Sequence, residues 1–177
     1  SFFREKHRFD LLRSHASAAA GRRYCAWSSA ASSGQEAYSV AMVLTELAES
    51  GVMGRVHATD VSRRILEQAK SAVYREADIR PIAEALRKKY LLRSKTTPPR
   101  FKVSPALRER VTFARLNLMD PSYSTPSVMD AIFCRNVLIY FDKPTQKQVL
   151  TRLLEKLKPG GLLCLGHAES ANEFRLP

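Results

Sequence analysis

Tyr24-Cys25-Ala26-Trp27-Ser28-Ser29-Ala30-Ala31-Ser32-Ser33-Gly34-Gln35-Glu36-Ala37-Tyr38-Ser39-Val40 is the stretch on which the fold turns. Residues 24–28 are a short apolar run of strand length. Small residues follow as far as Gly34. From Gln35 to about Ser50, the apolar positions Val40, Val43, Leu44, Leu47 and Ala48 recur at helical spacing. Strand, small-residue turn and helix make the first half of a βαβ unit. Small side chains in the turn let the backbone approach a ligand closely, and Gly34 can adopt a positive φ. The turn is not G-x-G-x-x-G, so an ordinary βα connection accounts for it equally well.

The same alternation continues on both sides of this unit. Residues 55–59 read as a second strand, and Ser62 can cap a helix whose apolar face is Ile65, Leu66, Ala69 and Ala72. Residues 111–116 and Met129–Cys134 are further strand candidates. Pro144 marks the start of another helix, with Val149, Leu150, Leu153, Leu154 and Leu157 on one face. Lys158-Pro159-Gly160-Gly161 is expected to break that helix, before a last apolar strand at residues 162–165. Strands alternating with helices predict right-handed crossovers and a mostly parallel, doubly wound α/β sheet. Residues 74–110 interrupt the rhythm. They read as a helix followed by two short extended pieces, Tyr90-Leu91-Leu92-Arg93 and Phe101-Lys102-Val103, around a Thr- and Pro-containing turn. This pattern predicts a small inserted β-hairpin subdomain rich in Arg and Lys.

The 177 residues, 45% hydrophobic, suit one domain with a substantial core. The formal net charge of +12 directs the protein toward acidic partners, whether nucleic acid, anionic membrane or acidic protein. No apolar run is long enough to span a bilayer, and no signal peptide opens the chain. Cys25, Cys134 and Cys164 sit in strand-like apolar runs and read as buried thiols of a reducing cytosol. No Cys or His pair has ligand spacing, so no metal site is expected. His7, His15, His57 and His167 accompany no acid or nucleophile motif.

Ligands of open parallel sheets bind beyond the carboxyl ends of the strands, and four segments of interest fall there. The first is the loop 29–36. In the second, Asp60 closes the second strand, where a carboxylate can accept hydrogen bonds from two ribose hydroxyls, or simply cap the helix after it. Asn117-Leu118 pairs an amide with an apolar side chain, suitable for the edge and face of an adenine, though a turn-forming Asn is the alternative. Phe133 to Asp142 runs an apolar strand into Arg135-Asn136, which need either a ligand or a salt bridge. Tyr140, one helical turn beyond Asn136, is expected to reach the same pocket.

These segments, together with Phe2-Phe3-Arg4-Glu5, Leu157-Lys158-Pro159-Gly160-Gly161 and Gly166-His167-Ala168-Glu169-Ser170, resemble the CheR-type chemotaxis receptor methyltransferases over nearly the whole chain. The resemblance implies a class I methyltransferase (Rossmann-like) fold and S-adenosyl-L-methionine as cofactor. It implies that Arg4, Ala31, Glu36, Asp60, Asn117, Leu118, Arg135 and Asn136 bind the cofactor, and that Arg4 and Tyr140 lie by the transferred methyl group. It also implies a cytoplasmic monomer acting on glutamates in the cytoplasmic helices of methyl-accepting chemotaxis receptors, with neither nucleic acid nor membrane insertion. Residues 1–177 would be the methyltransferase domain, without the family's N-terminal helical domain and without the last strands of its sheet. Gln35 and Ala37 stand where Glu and Pro are common in the family. Two readings from other classes compete: a nucleic-acid-binding protein or RNA methyltransferase, favoured by charge, and a cofactor-binding regulatory module without turnover. The aromatic-interleaved basic stretches that stack on bases are missing.

Overall fold

The computed structural model describes residues 1–19 and 21–166. A five-stranded sheet is built from β1 (Arg23–Ser28), β2 (Met53–Asp60), β6 (Val111–Arg115), β7 (Met129–Cys134) and β8 (Leu157–Leu165), in the order β6-β2-β1-β7-β8. Every pairing in it is parallel. From β1 the chain winds outward through β2 to β6, then returns to place β7 on the other side of β1. The β1/β7 junction is therefore the switch point, and the loops leaving those two strands diverge there.

Both faces of β1 and β7 are covered, and those strands are buried almost throughout, whereas β2 alternates, with Met53 and Arg55 exposed. On one face, α2 (Gln35–Glu46) is buried from Ala37 to Leu44 and packs beside α1 (Lys6–Ser17). Gly54 of β2 permits this: a Cβ there would lie 2.6 Å from Leu44 Cβ. On the other face, Val149, Leu150 and Leu153 of α7 (Lys143–Glu155) close over Trp27, Ile132 and Tyr123. Asp142 caps α7 by accepting from Thr145 N at 2.9 Å, and Ser62 caps α3 (Arg63–Ser71) through Ile65 N at 3.3 Å.

The insert holds more than a hairpin. β4 (Leu91–Arg93) and β5 (Arg100–Val103) pair as expected, but Val73–Arg75 forms β3 and pairs with β5, giving an antiparallel order β3-β5-β4. Tyr74 supplies the reason: it buries its ring against Phe2 at 4.9 Å, and an extended backbone carries it there. Two short helices, α4 (Glu76–Ile79) and α5 (Glu84–Tyr90), link β3 to β4, and α6 (Pro105–Arg108) leads back to β6.

Two further elements differ from expectation. Helix α1 was not anticipated, although Phe9, Leu12 and Ala16 are its buried stripe. Lys158 to Gly161 does not end a helix; it opens β8, with a register shift between Met129 and Ala131 of β7. Gly160 (φ 77) absorbs the irregularity. The three thiols are free; Cys134 and Cys164 are buried and Cys25 half-buried. His167, Glu169 and Ser170 lie outside the described residues. No helix among the described residues is long and apolar enough to cross a membrane.

Candidate active site

The carboxyl ends of β1, β2 and β7 are tied into one frame. Ser29 N donates to Phe133 O at 2.9 Å, Ala31 N to Thr59 O at 2.8 Å, and Trp27 Nε1 to Thr59 Oγ1 at 3.0 Å. Thr59 Oγ1 in turn donates to Ser29 O at 2.9 Å. Loop 29–34 then turns into α2 through Gly34 (φ 97). A Cβ at Gly34 would sit 3.0–3.1 Å from Tyr74 Oη, Ala69 Cβ and Tyr38 Cε2, so both conformation and space call for glycine.

This frame supports a cleft in two adjoining lobes. The polar lobe, about 400 Å³, is lined by Arg4, Ala31, Ser32, Ser33, Gln35, Glu36, Arg135 and Asn136 among others. The apolar lobe, about 260 Å³, is walled by Val61, Leu116, Leu118, Met119 and Phe141, with Asn117 at its edge. Ala30, Asp60 and Val137 line both. Asp60 Oδ2 accepts from Ser32 N at 2.9 Å and Oδ1 from Ser62 N at 3.0 Å. Each oxygen keeps a second lone pair for a ligand hydroxyl. Asn117 Oδ1 accepts from Met119 N at 2.9 Å, so its amide nitrogen is the group that can donate to a ligand.

Arg135, 6% exposed, organises the polar lobe. Its guanidinium lies 3.1 Å from Glu5 and 3.6 Å from Glu36, and it donates to the Arg4 carbonyl oxygen. Its Nε is buried without a hydrogen-bond partner. Ser28 Oγ donates to Glu36 Oε1 at 2.8 Å. Burial pushes the Glu36 carboxyl up, while Arg135 and the Ser28 bond pull it down. The salt-bridged reading of Arg135 is thus what the structure shows, in a side chain that also lines the lobe.

All eight residues expected to bind the cofactor line the cleft. Tyr140 does not. The expected helical turn from Asn136 is absent: Asn136 takes φ 60, Val137 φ −125, and a 3₁₀ turn runs from Leu138 to Tyr140. Tyr140 is left 78% exposed, while Phe141 reaches the apolar lobe in its place. Val61, Met119, Val137 and Phe141 escaped sequence reasoning, because an apolar residue in a loop looks the same whether it meets core or ligand. Glu5 and Ser28, which hold Arg135 and Glu36, carried no local signal either.

An open parallel sheet with a half-polar, half-apolar cleft at its switch point defines a nucleoside-cofactor domain of the class I methyltransferase type. Solved structures agree on the fold: the CcbJ methyltransferase of Streptomyces caelestis (TM-score 0.53, 16% identity, covering 89% of this chain and 50% of that one) and an O-methyltransferase family protein of Burkholderia thailandensis (0.54, 18%, 91% and 37%). Residues 1–175 match the family described as CheR methyltransferase, SAM binding domain, and the chain belongs to it. It is 43% identical over 177 residues to the chemotaxis protein methyltransferase of Klebsiella aerogenes, covering 98% of this chain, and 42% identical over 173 residues to that of Escherichia coli, covering 96%. The chain spans 60% of the length of each.

The family's cofactor is S-adenosylmethionine, and the cleft fits it. Asp60 stands where the lobes meet, as a ribose between an adenine and an amino acid requires. Arg135 and Glu36, which both line the polar lobe, bring both signs of charge to it, matching a zwitterion.

Proposed function

We propose that this domain transfers a methyl group from S-adenosylmethionine to glutamate side chains in the cytoplasmic helices of chemotaxis receptors, forming methyl esters. The observation that carries the reading is the bipartite cleft in a chain of this family, with Arg4 on its polar rim. Bound, the cofactor supplies an electrophilic sulfonium methyl. A glutamate is already ionised near neutral pH, so its oxygen attacks without a general base. The work of the protein is alignment and partial desolvation.

Asp60 holds the ribose, while Asn117 and Leu118 hold the edge and face of the adenine. Ala31, Glu36, Arg135 and Asn136 hold the amino-acid end. Arg4, on the rim, orients a carboxylate, either the substrate's or the cofactor's own. Tyr140 lies on the loop that follows Asn136, where an arriving receptor helix would have to pass. Residues 74–110 are an appended subdomain of this catalytic domain, which acts as a monomer in the cytoplasm.

The test is transfer of labelled methyl groups from S-adenosylmethionine to receptor-bearing membranes and, separately, to RNA. Base-labile label on the receptor is the expected result. Label on RNA alone refutes the proposal and favours the nucleic-acid reading.

A further inference from the structure

A second hollow, about 550 Å³ and larger than either lobe of the cleft, lies between α1, α2 and the stretch from Arg80 to Arg87 of the insert. Its floor is apolar, with Phe3, Phe9, Val43, Ile82 and Leu86. Its rim is charged, and cations prevail: Lys6, Arg13, Arg80 and Arg87 against Asp10 and Glu84. Glu84 is moreover engaged by Lys88 at 3.2 Å. Arg87 Nε is buried without a hydrogen-bond partner.

The hollow adjoins the cleft through consecutive residues. Phe3 lines the hollow and Arg4 lines the polar lobe, so their Cα atoms are ~3.8 Å apart. The strap that carries both is fastened: Phe2 is fully buried, Phe3 N donates to Ser39 Oγ at 3.0 Å, and the Arg4 carbonyl is held by Arg135. Whatever sits in the hollow lies one residue from the catalytic rim.

We propose that this hollow docks the substrate's own helix, an acidic amphipathic helix whose apolar side chains enter the floor while its carboxylates meet the basic rim. The inference rests on the reading given under Proposed function. A whole helix is roughly 10–12 Å across and does not enter such a space, but the side chains of its apolar stripe do. A small anion alone would leave the apolar floor uncovered. A stacked nucleic-acid base is disfavoured because the rings are already used: Phe9 lies 5.2 Å from Phe3, 5.8 Å from Phe133 and 5.6 Å from the Arg135 guanidinium. Opposite charge then gives orientation and register to the docked helix.

The experiment uses the 177-residue chain and a fluorescein-labelled synthetic amphipathic helix bearing Glu on one face and Leu and Ala on the other. Anisotropy is read for the unaltered protein and for the triple variant Lys6→Glu, Arg13→Glu, Arg80→Glu. All three positions are exposed and lie outside the cofactor cleft. S-adenosylhomocysteine calorimetry on each protein monitors fold and cleft. The expected result is binding of the helix weakened ~10-fold or more in the variant, a similar loss when the helix carries Gln for Glu, and unchanged S-adenosylhomocysteine affinity. Equal binding by both proteins, no saturable binding by the unaltered protein, or displacement of the helix by random duplex RNA in the unaltered protein but not the variant overturns the proposal. Methyl transfer to receptor membranes separates the two claims. Transfer with an unchanged KM in the variant removes the docking hollow and leaves the function. No transfer by the unaltered protein, with helix binding still lost in the variant, removes the function and leaves an acidic-helix site.

Discussion

Arg135 ties two parts of the molecule together: it closes the Phe2–Glu5 strap from beneath and lines the polar lobe of the cleft. The strap is strained, since Phe3 (φ 50) and Glu5 (φ 57) both occupy the left-handed region that non-glycine residues avoid. Such a conformation persists when its surroundings over-determine it, and the Glu5–Arg135 contact at 3.1 Å is part of that constraint. Removing one partner of a buried ion pair typically costs about 3–5 kcal/mol. Because Glu36 still faces Arg135, Glu5→Gln is expected to lose less than this, and to weaken S-adenosylhomocysteine binding as Arg4 loosens. Thermal melts and calorimetry check both, and an unchanged melt with unchanged affinity would show that the strap holds without the pair. Asp60 answers a different question. Its two oxygens are each bonded once by backbone, so Asp60→Ala removes both loop support and the acceptors proposed for the ribose. A hydrogen bond to a charged group contributes about 1.5–3 kcal/mol, so a loss of roughly 10- to 100-fold in S-adenosylhomocysteine affinity is expected. Wild-type affinity in calorimetry would take Asp60 out of the site.

Helix α2 runs from loop 29–34 to the insert, and its C-terminal end can be probed at two points. In its last turns, Leu44 lies on β2 where Gly54 leaves room. Gly54→Ala brings a methyl 2.6 Å from Leu44 Cβ, a backbone-proximal contact that cannot simply swing away. Overpacking of this kind costs about 1–3 kcal/mol, read as a lowered denaturation midpoint. A midpoint equal to wild type would show that α2 can lift off the sheet at no cost. At the same end, Glu46 accepts from Lys89 Nζ at 2.6 Å and from Tyr90 Oη at 2.6 Å, pinning α5 to α2. These bonds hold its carboxyl below the ordinary value of 4.5. Arg75 likewise holds Asp78 of α4 below 3.8. Both folded values are depressed, so their contribution is present above pH 4.5 and 3.8 respectively and is lost as pH falls through the lowered values. Hydrogen exchange measured at successively lower pH is expected to show protection in residues 84–103 failing before that of β1 and β7. Glu46→Gln should flatten that pH dependence, and an identical pH profile in the variant would dissociate Glu46 from the effect.

The molecule as a whole carries +12, and the insert contributes heavily through residues such as Lys88, Lys95, Arg100 and Lys102. If this charge steers the domain to an acidic receptor, raising ionic strength from about 0.05 to 0.3 M, which shortens the screening length from roughly 14 to 6 Å, should raise the receptor KM several-fold. S-adenosylhomocysteine affinity, set inside the cleft, should move far less; equal sensitivity of both would count against steering. The parallel sheet was legible because period and punctuation are local: Ser62 caps one helix, Pro144 opens another, Gly34 turns the loop, and apolar runs mark β1, β2, β6 and β7. Asp60, Asn117, Arg135 and Asn136 were legible as cleft-lining residues because they end or follow strands, a position the alternation itself predicts, whereas Arg4 precedes α1 and was reached only through the resemblance. Local pattern thus dictated the alternation, the winding and the strand-end loops. Only tertiary structure made Val73–Arg75 a strand, since its reason is a Tyr74 ring buried against Phe2, far away in the chain. Only tertiary structure turned Tyr140 outward and put Phe141 in the cleft, because one positive φ at Asn136 redirects every side chain after it. The junction of the hollow with the cleft is likewise non-local. It exists because α1, α2 and the insert converge on a four-residue strap, and local periodicity carries no information about which distant surfaces a strap will separate.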